Sequence, residues 1–398
     1  MADTENNKNS NSPASTSAPA LRFPGFTEPW RKCFISQLGD IITGNTPSTK
    51  QSENYSEDGY LWASPSDLNV TKYVYDTKTR LSQIGFQKTR IIPKHSILVT
   101  CIGSTIGKMG MASTVMSTNQ QINAVVVNSS FDKDFVYYAI QSRFPKYLSS
   151  IAVQAVPILS KSTFCELENY YPSKIEQTKI GELLSLLDER IATQRRLIED
   201  LEKLKSSIID KCYRGTDHIQ LGDFITQISN RNKSNLPYKV MSVSNVRGFV
   251  PQFEQFADRE IASENTTSYK IVTRNIFAYN PARINIGSIA RFKGHDNGII
   301  SPMYVCFKVE GELQPQFLEY FFQTRKFKND VEIRLEGSVR RCLNFDALCE
   351  IEIPLLSLSK QIVISSALET VSKKIAIEKG VLSHIIKQRK YLISNMFI

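Results

Sequence analysis

QTKIGELLSLLDERI, residues Gln177–Ile191, recurs 184 residues further on as QIVISSALETVSKKI, Gln361–Ile375. Each copy opens on a glutamine and carries apolar residues at spacings of 4, 3 and 4: Ile180, Leu184, Leu187, Ile191, then Ile364, Leu368, Val371, Ile375. That period puts one apolar stripe on a helix and forms a coiled-coil seam. Proline is absent from Glu176 to Tyr213 and from Lys360 to Met396, so both stretches read as helices of about 38 residues, roughly 55 Å long. Leu197, Leu201, Leu204 and Ile208 continue the first seam, with a phase slip predicted at TQRR (193–196). Leu382, Ile385, Leu392 and Ile393 continue the second, where Gly380 is the weak point.

The repeat extends upstream of the helices in the same order and at nearly the same offset. QLGDII (37–42) returns as QLGDFI (220–225), and IGSTIGK (102–108) as INIGSIAR (284–291). FVYYAIQSRF (135–144) matches FLEYFFQTRK (317–326), and FCELENYYP (164–172) matches FDALCEIEIP (345–354). A period near 183 is far longer than a solenoid repeat, so a whole domain is duplicated. NAVVVN (123–128) and MYVCFKVE (303–310) read as strands; LSQIGF (81–86), PKHSILVT (93–100) and TRNIFAYN (273–280) read as shorter ones. FVYYAIQSRF and FLEYFFQTRK read as short helices. Each copy is thus α+β, followed by a long helix. Pro172 and Pro354 mark the ends of the globular parts, and Arg214-Gly215 the end of the first helix.

The chain has 398 residues, which suits two or three domains. No apolar run is long enough to span a membrane. MADTENNKNSNSPASTSAPA (1–20) is polar, lacks the apolar region of a secretory signal and reads as a disordered leader. Seven scattered cysteines without a CxxC pair form neither a disulfide framework nor a zinc pattern, and fit a reducing cytoplasm. A net charge of +10 points to a polyanionic partner; an ordinary basic protein is the plainer reading.

Motifs for catalysis fail one by one. In CIGSTIGKMG (101–110) the glycines are spaced wrongly for a phosphate-binding P-loop, and Met109 stands where Ser/Thr would hold magnesium. Recurrence of the stretch one period later favours turn chemistry in a β-hairpin, with Lys108 beside the turn. Asn280-Pro281-Ala282-Arg283 departs twice from a methyltransferase Asn/Asp-Pro-Pro-aromatic loop. No GxGxxG follows a strand, no Glu-x-Lys triplet occurs, and four histidines lack partners for nucleophilic catalysis or for a metal. The expectation is a chain that catalyses nothing itself and holds no cofactor or metal.

Several segments together resemble the specificity subunits of type I restriction–modification systems. LRFPGFTEPWRKCFISQLGDI (21–41) looks like that family's opening segment, and YNPARINIGSIA (279–290) is similar to a stretch of its target recognition domains. EQTKIGELLSLLDERI (176–191) looks like the start of its helical regions, and the order globular–helix–globular–helix matches its layout over residues 21 to 398. The resemblance implies two similar mixed α/β target recognition domains, 21–173 and 216–355. They would be joined by two long antiparallel coiled-coil helices, 174–215 and 356–398, about a pseudo-twofold axis. It also implies partners: double-stranded DNA, two methyltransferase subunits, and motor-nuclease subunits through the complex, with no membrane. S-adenosylmethionine would belong to the methyltransferase, ATP and magnesium to the motor. The place would be the bacterial cytoplasm. Each domain would read one half of an asymmetric split target, with the helices setting the gap. A coiled-coil scaffold with incidental DNA binding is the competing reading.

Residues suited to DNA follow from chemistry. Arginine forks fit guanine edges or phosphates, and amides pair with adenine. The basic stretch Lys270–Lys308 supplies Arg283, Arg291 and Lys293, and GSVRRCLN (337–344) supplies Arg340 and Arg341. Salt bridging within the fold is the alternative for these. The first domain offers Lys108, Lys161 and the amide run Asn119, Gln120 and Gln121, which could equally cap a turn. On the helices, Leu184, Leu187, Ile191, Leu201, Ile208, Leu368, Val371, Ile375, Leu382 and Ile385 are the candidate subunit-interface positions.

Overall fold

The computed structural model describes residues 18–150, 158–215, 218–255, 265–337 and 341–398. Most of the predicted leader lies outside them. The chain forms two compact units: unit 1 runs to Arg196 and takes in Gly380–Ile398, and unit 2 is Leu197–Lys379.

In unit 1, β1 (Arg31–Phe34) passes through the single turn α1 (Ile35–Leu38) into β2 (Gly39–Thr43). Next come β3 (Tyr55–Ala63), β4 (Tyr73–Val74), β5 (Arg80–Leu81) and α2 (Gln83–Gln87). They are followed by β6 (Ile97–Thr100), β7 (Met109–Ala112), β8 (Ser117–Thr118) and β9 (Ile122–Val127). Then α3 (Lys133–Ser150), α4 (Lys161–Cys165) and β10 (Glu168–Tyr171) lead into the long helix α5 (Lys174–Cys212). One sheet has the order β2-β9-β6-β7-β4, a second β5-β3-β8, and β1 pairs with β10.

Unit 2 follows the same plan. β11 (His218–Gln220), β12 (Ile225–Ile228), β13 (Lys239–Ser244), β14 (Gly248–Pro251) and α6 (Gln252–Gln255) open it. β15 (Lys270–Val272), β16 (Phe277–Tyr279), β17 (Ile289–Arg291), β18 (Gly298–Ile300) and β19 (Val305–Val309) complete its two main sheets. α7 (Pro315–Phe321), α8 (Arg325–Arg334), α9 (Phe345–Cys349) and β20 (Glu352–Pro354) precede the second long helix, α10 (Leu358–Asn395). The sheet β12-β19-β16-β17 repeats β2-β9-β6-β7 strand for strand, and β14-β13-β18 repeats β5-β3-β8, parallel pair included. β11 pairs with β20 as β1 pairs with β10.

Each long helix is anchored by its glutamine in the same way. Gln177, 2% exposed, accepts from the Asp132 N–H at 2.9 Å and donates to the Pro172 carbonyl at 3.0 Å. Gln361, also 2% exposed, accepts from the Gln314 N–H at 2.9 Å and donates to the Leu356 carbonyl at 2.8 Å. Both satisfy buried backbone groups where the globular part hands over to the helix, groups that would be costly to leave unpaired. At Gly181 the turn before α3 comes so close that a Cβ would lie 2.6 Å from Asp132 Oδ1.

In each unit the two helices run antiparallel. Asp188 pairs with Arg389, and Leu184 and Leu187 share a core with Leu392 and Ile393. In unit 2, Glu202 pairs with Lys379 at 2.6 Å, and Ile209 shares a core with Leu368. The phase slip predicted at TQRR is not there. Inward positions run Ile191, Gln194, Ile198, Leu201, Lys205, at unbroken spacings of 3 and 4, whereas Leu197 and Leu204 are 40% and 50% exposed. The seam accepts polar Gln194 and Lys205, so an apolar-only pattern jumps onto the outward leucines.

LSQIGF differs from its predicted strand for a local reason. Ser82 Oγ accepts the Gly85 N–H at 3.1 Å and caps α2, leaving only Arg80–Leu81 as strand. The glycine stretch does form a hairpin turn: β6 and β7 pair antiparallel across it, and Gly103 and Gly107 take φ of 95° and 89°. Gly287, φ 92°, serves the β16–β17 hairpin in the same way.

Candidate nucleic-acid interface

Each unit joins its globular part to the helices through a polar cluster around one tyrosine. In unit 1, Tyr138 donates to Asp188 at 2.6 Å, and Arg389 both pairs with Asp188 and donates to Gln141 at 3.0 Å. Burial disfavours the Arg389 charge, but the Asp188 carboxylate outweighs it and holds the guanidinium above its usual range. Lys72, with 7% of its side chain exposed, donates to Asp134 and to Ser185, each at 2.6 Å, and lies 4.6 Å from the Tyr138 ring centre. Burial lowers its pKa. Asp134 is also penalised by burial, yet hydrogen bonds from Lys133 and Lys72 hold it below the ordinary carboxylate range. In unit 2, Tyr320 donates to Glu369 at 3.1 Å, Lys205 lies 5.5 Å from its ring centre, and burial pushes the phenol up to about 12. The first segment is tied down by a further buried pair: Arg22 donates to Glu176 from two nitrogens, at 2.7 and 2.8 Å.

The sequence candidates separate into engaged and free. In unit 1, Asn119 Nδ2 donates to Gln121 Oε1 at 2.9 Å, and the Gln121 N–H donates back to Asn119 Oδ1 at 3.1 Å. Those two amides hold a turn. Gln120, between them, is exposed and accepts from Thr46. Lys108 is half-buried where β6 turns into β7, and Lys161 is exposed on the first turn of α4.

In unit 2, Arg291 is 13% exposed and grips Glu319 at 2.8 Å and Asn275 at 2.8 Å; Lys293 takes the other Glu319 oxygen at 2.7 Å. These two cations are engaged by a carboxylate of α7, which is the salt-bridge alternative. Arg341 is exposed but donates to the Glu332 carbonyl at 2.9 Å. Arg283 is exposed in the turn after β16, and Arg340 lies outside the described residues. On the helices, Leu184, Ile191, Leu368, Ile375 and Ile385 are buried, and Leu187, Leu201, Ile208, Val371 and Leu382 half-buried, all on the inward seam. Their apolar surface is used in packing within the chain. The outward apolar positions are others, among them Leu186, Leu204, Ile377 and Tyr391, which are 50 to 63% exposed.

Sequence reasoning missed two features. A groove of about 1220 Å³ lies in unit 2, lined by Lys205, Lys239, Arg247, Arg291, Lys293, Lys328 and Lys373 against Glu202, Asp296, Glu319 and Glu369. This basic excess is gathered from six segments, so no local charge run announces it. The second is the tip of the β13–β14 hairpin, Asn245–Val246–Arg247, all three exposed beside the groove. Its signal was present: Asn-Val recurs as Asn69-Val70 in unit 1.

Among the described residues no group of three or more His, Cys, Asp or Glu could hold a metal ion, and no helix is long and apolar enough to cross a membrane.

Two mixed α/β modules of one topology, each built around segments of two long helices, define a duplicated α+β protein. Residues 27–203 match the family model of the type I restriction modification DNA specificity domain. The chain is 31% identical over 181 residues to the MjaIX specificity subunit of Methanocaldococcus jannaschii, covering 44% of this chain and 41% of that protein. It is 33% identical over 179 residues to the HindI specificity subunit of Haemophilus influenzae, covering 43% and 39%. The chain thus spans about two fifths of the length of these curated relatives. Similarity to the MjaVIII specificity subunit of M. jannaschii is weaker, at 22%, but covers 94% of this chain and 92% of that one. The fold is that of the S subunit of a type I restriction–modification system from M. genitalium, with a TM-score of 0.64 at 18% identity over 96% and 99% of the two chains.

Proposed function

We propose that the chain is the DNA sequence-specificity subunit of a type I restriction–modification complex, each unit reading one half of an asymmetric bipartite target. The observation that carries this reading is the repeated topology with diverged exposed residues: two frames alike enough for the pseudo-symmetry of duplex DNA, two surfaces different enough for unlike half-sites. The chain performs no chemistry and holds no cofactor. Two methyltransferase subunits bring S-adenosylmethionine, and motor-nuclease subunits bring ATP and magnesium, in the bacterial cytoplasm. The helices set the gap and dock the methyltransferase through outward apolar side chains such as Leu204, Ile377 and Tyr391 rather than through the buried seam.

The test is electrophoretic mobility of target and random duplexes with this chain, with and without its methyltransferase subunits. Sequence-selective retention in the complex is expected. A complex that forms yet retains all duplexes alike would favour the scaffold reading instead. Ile377→Asp should weaken methyltransferase binding at least tenfold with the melting temperature unchanged, as measured by titration calorimetry.

A further inference from the structure

We propose that the exposed tips Asn69–Val70–Thr71 of unit 1 and Asn245–Val246–Arg247 of unit 2 are the base readers of the two half-sites, and that their third residue makes the half-sites differ, Arg247 selecting a guanine. This rests on the specificity-subunit reading.

Each tip follows the corresponding strand of its unit, β3 or β13, although Asn69–Thr71 leads into β4 of the first sheet and Asn245–Arg247 turns directly back into β14. Each lies beside the glycine hairpin of its unit. The Asn69 N–H donates to the Met109 carbonyl of β7 at 3.1 Å, and the Met111 N–H donates to the Lys72 carbonyl at 2.7 Å, so unit 1's tip is held on both sides. In unit 2, Ser288 Oγ donates to the Val243 carbonyl at 3.1 Å. A Cβ at Gly287 would come within 3.4 Å of the Asn245 carbonyl oxygen. Both tips therefore have a fixed backbone. Asn69 takes φ 68° and Gly248 φ 67°, and Ser244 Oγ accepts the Val246 and Arg247 N–H groups at 3.3 Å.

Rigid support and solvent-facing side chains are what a reader needs. Val70 is 65% exposed and Val246 85%, and neither joins a hydrophobic core. An amide, an apolar group and a guanidinium side by side match the three kinds of major-groove contact: adenine edge, thymine methyl and guanine edge. Arg247 is free to make that contact. Its ion pair with Glu254, at 3.3 Å, joins side chains 55% and 43% exposed, and such surface pairs exchange at little cost. Arg291 is the contrast, gripped by Glu319 and Asn275. Thr71, which follows Asn-Val in unit 1 as Arg247 does in unit 2, donates its hydroxyl to the Tyr73 carbonyl at 2.5 Å. Unit 1's half-site thus has no arginine-read guanine at that position.

The experiment assembles the full chain with its methyltransferase subunits and maps methylated sites on a random-sequence duplex library. Arg247→Thr should lower discrimination at one guanine of a single half-site by about ten- to a hundredfold, leaving the other half-site and the gap unchanged. Val70→Ser should relax one position of the opposite half-site severalfold. Undiminished discrimination in Arg247→Thr overturns the proposal. So does a uniform loss of methylation over all sequences, which marks a phosphate contact. Absence of sequence preference in the unsubstituted complex would instead sink the specificity-subunit reading.

Discussion

In unit 1, Tyr138 meets a carboxylate on α5 and a cation on α10; in unit 2, Tyr320 meets a carboxylate on α10 and a cation on α5. Arg389 and Lys205 occupy corresponding places one period apart. The acids do not. The helix pair of positions reads Ser185 and Asp188 in α5 but Glu369 and Ser372 in α10, so acid and serine have changed places. The joint requires a tyrosine hydroxyl, an acceptor and a cation, but tolerates the acceptor one turn away. The two joints also differ in burial. Asp188 takes the Arg389 pair and the Tyr138 hydroxyl in a site where Lys72 is nearly enclosed, whereas Glu369 is held by neutral donors, Tyr320 and Gln316, and by an outer Lys373.

The largest effect should come from removing the acid of the more buried joint. Asp188→Asn leaves Arg389 without its countercharge and should cost unit 1 about 3 kcal/mol. Glu369→Gln should cost unit 2 only about 1 kcal/mol. Hydrogen exchange resolved by segment reads each unit separately; equal losses would break the comparison. Next comes the seam. Ile198→Ala should cost about 2 kcal/mol, and Leu197→Ala less than about 0.5 kcal/mol, in chemical denaturation. The reverse ranking would restore the phase slip.

A smaller, pH-dependent effect should fall on unit 1. Asp134 is held below its unfolded pKa, so its contribution is present above about pH 4 and lost as pH falls through the lowered value. Amides around α3 should lose protection in that acid window, and Lys72→Met should move the loss to higher pH. Smallest of all, Gly380→Ala should stabilise α10 by about 0.5–1 kcal/mol, since nothing lies within 4 Å of the new methyl. Gly181→Ala should destabilise, because its Cβ meets Asp132 and the Phe135 backbone.

What was legible follows the strength of each local signal. The long helices read as 176–213 and 360–396 and run Lys174–Cys212 and Leu358–Asn395, because apolar period and missing prolines act over many residues. Gln177 and Gln361 matched as letters and perform the same hydrogen bonding in space. The site was less legible. Whether Arg291 is free depends on Glu319, 28 residues away, and whether Asn119 is free depends on how a turn closes. Such pairings are set by tertiary structure. The Asn-Val tips were visible as a dipeptide, but their exposure was not.

The most direct test of the account exchanges residues 218–353 for the corresponding part of a known type I specificity subunit. Methylated sites of the assembled complex are then mapped. One half-site should change while the other half-site and the gap are kept. A change in both half-sites, or in neither, would contradict reading by two separate units.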